Sequence, residues 1–215
     1  MTATGEWAAS HECEVLVIGS GAGGATTAAI LAEAGHDVLI IEEGPWVDQG
    51  EVVPFSLEQM DRQYRSGGVT VALGVPSIAY TEGRCAGGGT EVNSGLYRRP
   101  PEQAIARWQS EYAIDDFDAD GLLSICEEVE EQLTVQTVPG EHTRASEILR
   151  DGAAALGWQH DESPRWMSYP EGGRAVDGKR QSMTRTYLPR AFAAGARMLT
   201  EHRLDRLVMS GGSAT

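Results

Sequence analysis

Apolar positions are most ordered near the start of the chain. Residues 14–18, Glu-Val-Leu-Val-Ile, form a short β-branched run of the kind that strands buried on both faces of a parallel sheet show. It stops at Gly19. Residues 22–34 are Ala-rich with Ile30 and Leu31, which predicts a helix, and Gly35 supplies its C-terminal stop. Residues 37–41, Asp-Val-Leu-Ile-Ile, predict a second buried strand. Strand, glycine turn, helix and strand in so short a stretch form a βαβ unit and imply a parallel sheet.

Past Gly44-Pro45 the pattern weakens, with a helix predicted over 57–65 and short strands over 69–73 and 78–81. Ile105, Trp108 and Tyr112 recur at helical spacing, so 101–112 reads as a helix with Pro in its first turn. Residues 117–132 repeat the pattern, with Leu122, Leu123, Ile125, Val129 and Leu133 on one face. Glu127, Glu128, Glu130 and Glu131 lie opposite and read as a solvated face. A helix over 147–156 ends at Gly157, residues 164–180 read as irregular, 187–199 as helix and 204–208 as a strand. Residues 1–12 read as a loose leader.

Charge narrows the function classes. Against 32 acidic residues stand 17 basic ones, a net charge of −15, which argues against a nucleic-acid partner. The 3 cysteines, Cys13, Cys85 and Cys126, have neither a disulfide framework nor metal-ligand spacing, and no His pair is spaced as metal ligands are. No metal site is expected. A reducing, cytoplasmic setting is the expectation, with no membrane span, because apolar runs are far shorter than the ~18 residues that a span needs. Lys179 is the one lysine; Arg180 follows it and Ala175 lies four residues before it. That removes a phosphate-binding GK[ST] loop and a Tyr-x-x-x-Lys dehydrogenase pair.

The 26 glycines gather in two clusters. In the first, Gly19-Ser-Gly21-Ala-Gly23-Gly24 matches G-x-G-x-x-G between a predicted strand and helix, and Glu42 follows Gly24 by 18 residues at the end of the second strand. Gly19 permits the tight turn, Gly21 lets backbone approach a pyrophosphate, and Gly24 allows close helix packing. Free N–H groups at the helix start, around Ser20 and Ala22, would bind the anion. Glu42, with Glu43 beside it, would accept hydrogen bonds from ribose hydroxyls and oppose a 2′-phosphate, favouring FAD or NAD over NADP.

The second cluster is Gly83-Arg-Cys-Ala-Gly-Gly-Gly-Thr90-Glu-Val-Asn93-Ser-Gly95-Leu-Tyr97-Arg-Arg-Pro100. This stretch resembles the first signature of the glucose-methanol-choline (GMC) oxidoreductases, flavoenzymes that oxidise alcohols. Arg84, Gly87, Gly88, Gly89, Thr90, Val92, Asn93, Tyr97 and Pro100 fall in place, and Ala86 departs where a larger side chain is usual. The Glu42-Glu43-Gly44-Pro45 exit from the second strand is also similar to the family's. The resemblance implies that Gly88, Gly89 and Thr90 line phosphates and ring edge. It implies that Asn93, Ser94, Gly95 and Leu96 approach the flavin's pyrimidine part, and that backbone at Leu204 meets the adenine. An Asx-type turn at Asn93 that only shapes the loop is the alternative.

The fold class expected is therefore α/β, a Rossmann-like FAD-binding domain over 13–115 and 195–215, with 116–194 beginning a substrate domain. The resemblance implies noncovalent FAD, because no His lies in the loop, and a small-molecule alcohol as substrate, leaving the electron acceptor open. The family's proton-accepting His belongs to a later segment, so no catalytic residue is named here. The chain alone is expected to be inactive, with a partner chain supplying the rest if the enzyme is split. The rival readings are a non-catalytic flavin-binding or subunit-like protein and an NAD-dependent dehydrogenase.

Overall fold

The structure is a computed structural model that describes residues 10–48, 50–114, 118–211 and 213–214, so most of the expected leader lies outside the described residues. In chain order the elements are β1 (Val15–Ile18), α1 (Ala22–Glu33), β2 (Val38–Ile41), α2 (Leu57–Gln63), β3 (Thr70–Ala72), β4 (Ile78–Tyr80), α3 (Glu102–Tyr112) and α4 (Ala119–Gln132). They continue with β5 (Val135–Gln136), α5 (Arg144–Ala155), β6 (Arg165–Ser168), β7 (Lys179–Arg180), α6 (Tyr187–Ala193), β8 (Arg197–Leu199), β9 (Met209–Ser210) and β10 (Ser213–Ala214). Two compact units result: residues up to Val92 together with those from Met183 on, and Asn93–Ser182. The divisions fall earlier than the expected 115 and 195 because α3 belongs with α4 in the second unit and α6 packs on α1 in the first.

In the first unit, β1, β2 and β8 form a parallel sheet in that order, with Val17 opposite Ile40 and Ile40 opposite Met198. The third strand is Arg197–Leu199, where the apolar pattern suggested the end of a helix; Gly195, at φ +98°, stops α6 and turns the chain into the sheet. Residues 204–208, expected as a strand, take no strand pairing. A three-residue strand is too short to show a period of its own. β2 is buried as expected, but β1 is an edge strand on which only Val17 is buried, Ile18 being 51% exposed. Ala25, Ala28, Ala29 and Ala32 form the buried stripe of α1, small enough for α6 to approach with Leu188 and Ala191. Arg190 clamps the pair through both oxygens of Glu33 at 2.9 and 2.8 Å.

The second unit holds an antiparallel sheet, β5-β6-β7, of which β6 and β7 lie inside the stretch 164–180 expected to be irregular. In α4 the buried position is Cys126 rather than Ile125, which is 53% exposed. The inward stripe therefore runs through Leu122, Cys126, Val129 and Leu133, spaced by four, three and four. Nor is the glutamate run wholly solvated. Glu130 takes a bidentate pair from Arg99, Nε–Oε1 2.5 Å and Nη2–Oε2 2.6 Å. The Arg99 guanidinium holds the Glu130 carboxyl below its ordinary range, while burial, then Glu130, pushes the Tyr97 hydroxyl up.

A carboxyl depressed in the folded state contributes stability above its unfolded pKa and loses it as pH falls through the folded one. The urea midpoint should therefore drop on going from about pH 7 to about pH 3.5, and drop less in Glu130→Gln. Equal pH dependence in both proteins would remove Glu130 from the acid response.

Candidate functional site

Glu42 leaves β2 with its side chain 6% exposed, and a buried carboxylate must find donors. It finds them in the first glycine turn and in its own exit. Oε2 accepts the Ser20 N–H at 2.9 Å and the Ser20 hydroxyl at 2.7 Å, and Oε1 accepts the Gly44 N–H at 2.9 Å. The Ser20 hydroxyl also accepts the Gly87 N–H at 3.1 Å, which fastens the second glycine loop to the first. Backbone bonds complete the exit: Glu42 N–H to Leu199 O, His202 N–H to Glu42 O, and Glu201 N–H to Gly44 O.

Close approach requires glycine at several positions of the site, Gly24 and Gly44 among them. A β-carbon on Gly24 would stand 1.9 Å from the Gly19 carbonyl oxygen, so helix and strand pack there only with glycine. A β-carbon on Gly44 would stand 2.4 Å from the Arg84 carbonyl. Gly19, Gly21 and Gly89 are different, since a β-carbon on any of them would meet nothing within 4 Å. Their open side is a cleft of about 510 Å³, walled by Ile18, Gly19 and Gly21, by Ile41, Glu42 and Glu43, by Gly83, Gly88 and Gly89, by Arg65, Thr81 and Glu82, and by His202, Arg203 and Leu204.

At this cleft α1 begins with no side-chain cap and no acidic residue in its first turn. Its first N–H groups, from Ala22 on, lack intrahelical acceptors by geometry, and the helix dipole adds positive potential. Glu43 and Glu82 are both bound to Arg65, the latter at 3.0 Å, so two cleft carboxylates are offset by one guanidinium. A dinucleotide fits this arrangement: phosphates against the helix start and the Gly88–Gly89 backbone, ribose against the remaining acceptor position of Glu42, which uses three of about four.

Of the expected site residues, Gly19, Gly21, Glu42, Glu43, Gly88, Gly89 and Leu204 line one cleft. Gly24 serves packing, and Ala22 is the exposed first residue of α1. Ser20 and Thr90 are enclosed and their hydroxyls are committed internally, Thr90 donating to Gly87 O at 2.6 Å and accepting the Met183 N–H at 3.1 Å. Asn93, Ser94, Gly95 and Leu96 belong to the second unit, where Asn93 Oδ1 accepts the Gly95 N–H at 2.9 Å in an Asx-type turn. Arg65, Thr81, Glu82, His202 and Arg203 were not foreseen. No local pattern marks Arg65, whereas position 203 adjoins the expected Leu204. His202 is the one histidine on the cleft, and its Nδ1 lies 2.6 Å from Thr200 O, which makes Nδ1 the donor. Buried Cys85, its thiol pushed up to about 12 by desolvation, is inert packing.

Residues 60–215 match the GMC oxidoreductase family profile. The chain belongs to the GMC oxidoreductases. Residues 17–47 also match an NAD(P)-binding Rossmann-like domain. The chain is 38% identical over 208 residues to an uncharacterized GMC-type oxidoreductase of Sinorhizobium fredii, covering 94% of this chain and 41% of that one. It is 28% identical to the long-chain-alcohol oxidase FAO3 of Arabidopsis thaliana, covering 92% and 27%. Among solved structures, pyridoxine 4-oxidase from Mesorbium loti is similar at TM-score 0.68 and 17% identity, over 94% of this chain and 45% of that one. This GMC chain thus spans less than half the length of these relatives. Among its described residues no helix is long and apolar enough to cross a membrane, and no group of three or more His, Cys, Asp or Glu could hold a metal ion.

Glu42→Gln would turn an amide NH₂ toward the N–H of Ser20 or Gly44, leaving buried donors unpaired. Ligand-free protein should lose about 1–3 kcal/mol, read as a lower urea midpoint. An unchanged midpoint would mean that the carboxylate is not needed for the turn.

Proposed function

We propose that this chain supplies the FAD-binding part of an enzyme that oxidises an alcohol to an aldehyde or ketone. The observation that carries the reading is the uncapped start of α1, opening on the cleft that Gly19, Gly21, Gly88 and Gly89 share with Glu42. FAD needs backbone donors for its pyrophosphate and an acceptor for its adenosine ribose, and these residues offer both. When bound, FAD supplies the acceptor for the two electrons of the substrate's α-hydride. The protein's own part is to hold the dinucleotide at the α1 N-terminus, orient its ribose with Glu42 and present Leu204 backbone toward the adenine. Asn93, Ser94, Gly95 and Leu96 are proposed to border the flavin ring, as in the family's signature.

The substrate class is supported by relatives named as long-chain-alcohol oxidases and by a similar structure, at TM-score 0.64, named as a fungal aryl-alcohol oxidase. No residue of the 215 is assigned as the proton-accepting base. His202, at the Glu42 end of the cleft, sits on the dinucleotide side. These residues by themselves are therefore expected to lack alcohol oxidation.

Fluorescence titration of the purified protein should show FAD binding well ahead of NAD⁺. Tighter binding of NAD⁺ would overturn the flavin reading in favour of a nicotinamide enzyme. Acid precipitation of the flavin-loaded protein should leave the yellow colour in the supernatant, since the loop from Gly87 to Asn93 offers no His for covalent attachment. Colour retained in the pellet would count against a noncovalent flavin. A rate of dye reduction by the 215-residue chain with alcohols matching that of a full-length relative would place the base among its own histidines.

A further inference from the structure

Gly88 and Gly89 form one wall of the cleft, yet their backbone is left-handed at Gly87 (φ +85°) and Gly88 (φ +55°) before a short 3-10 turn over Gly88–Glu91. Glycine visits such conformations but has no reason to stay in them, so the loop's geometry must be imposed from outside. Ser20 holds it from one side through Gly87 N–H. On the other side stands Glu91, 8% exposed, in a position that the signature leaves unspecified.

Glu91 Oε1 accepts the Thr184 N–H at 3.3 Å and the Thr184 hydroxyl at 2.7 Å. The same side chain lies against the α-carbon of Gly87: a β-carbon there would stand 2.3 Å from Glu91 Oε1 and 2.9 Å from its Cγ. Thr90 makes a parallel link, bonding both Gly87 O and Met183 N–H. A stretch 93 residues distant in sequence is thereby fixed under the loop. Burying a carboxylate is costly, and the cost is offset only where its oxygens are satisfied. An apolar residue would fill the space beneath Gly87 equally well, but it would leave the Thr184 N–H and hydroxyl without this acceptor.

We propose that Glu91 is a positioning residue for the dinucleotide site: wedged between Gly87 and Thr184, it holds the Gly88–Gly89 backbone in the form that receives phosphate. Glu91 is not a cofactor contact, and it does not line the cleft. The proposal rests on the FAD reading for its consequence, while the positioning itself is a property of the ligand-free protein.

The test compares wild type, Glu91→Ala, Thr184→Val and the double variant in two measurements. Hydrogen exchange in ligand-free protein reads the amides of Gly87, Gly88 and Thr90, which are hydrogen-bonded to Ser20 Oγ, Cys85 O and Gly87 O. Exchange there should rise about tenfold or more in Glu91→Ala, while β1 and β2 stay within about twofold. FAD titration should show a dissociation constant raised about tenfold or more in Glu91→Ala and less in Thr184→Val. The double variant should be no weaker than Glu91→Ala, because both changes cut the same link. Unchanged loop exchange, or loosening of β1 and β2 to the same degree, would overturn the proposal, as would effects on affinity that simply multiply. Should Glu91→Ala not fold, Thr184→Val decides alone, since it keeps side-chain volume and the backbone N–H while removing one donor. A wild type that ignores FAD defeats the functional reading, and the exchange comparison still rules on Glu91.

Discussion

A carboxylate shut inside a fold is costly unless its oxygens meet donors, and at Glu42 the donors come from the parts that must be brought together. The N–H and hydroxyl of Ser20 belong to the turn before α1, the N–H of Gly44 belongs to the exit from β2, and the Ser20 hydroxyl passes the link on to Gly87. One acidic side chain therefore sets the spacing between two glycine loops that share no regular secondary structure. Replacing it with an apolar residue of similar volume would fill the space and leave three donors without this acceptor.

This arrangement also explains how an acidic chain presents an anion-receptive surface. Net charge acts through solvent, where screening removes it beyond about 8–10 Å, whereas backbone N–H groups act at contact distance. Within the cleft, Glu43 and Glu82 share Arg65, so the wall is less acidic than its sequence. Glu42 is occupied rather than free. The helix terminus adds its positive potential there, with Arg203 lining the same cleft.

Much of the first unit was legible because local rules and global packing agree there. The run at 14–18, the glycine turn and the Ala-rich helix each specify the same βαβ unit, and Gly24 and Glu42 fall where that unit needs them. The failures share a cause as well. Arg197–Leu199 is too short to carry a period, and its strand identity comes from pairing with Leu39–Ile41 far away in sequence. Ser20 and Thr90 lie inside the two motifs, but pattern alone does not tell a hydroxyl turned to a ligand from one turned to a neighbouring loop. Arg65 is invisible for the same reason, since its importance lies in the two carboxylates it meets. In α4 a polarizable Cys126 took the inward place that the bulkier Ile125 seemed to claim.

The pairing of β2 with β8 has a consequence in time. The sheet's middle strand meets one neighbour across a single helix and the other more than 150 residues later. Loop closure over such a separation is entropically expensive and tends to slow folding. During synthesis, residues 15–41 emerge long before Leu199, Glu201 and His202, which supply the backbone bonds that brace Glu42 and Gly44. The dinucleotide cleft is therefore a late product of folding. Its first motif waits, half-built and with a bare strand edge, until residues 197–202 arrive.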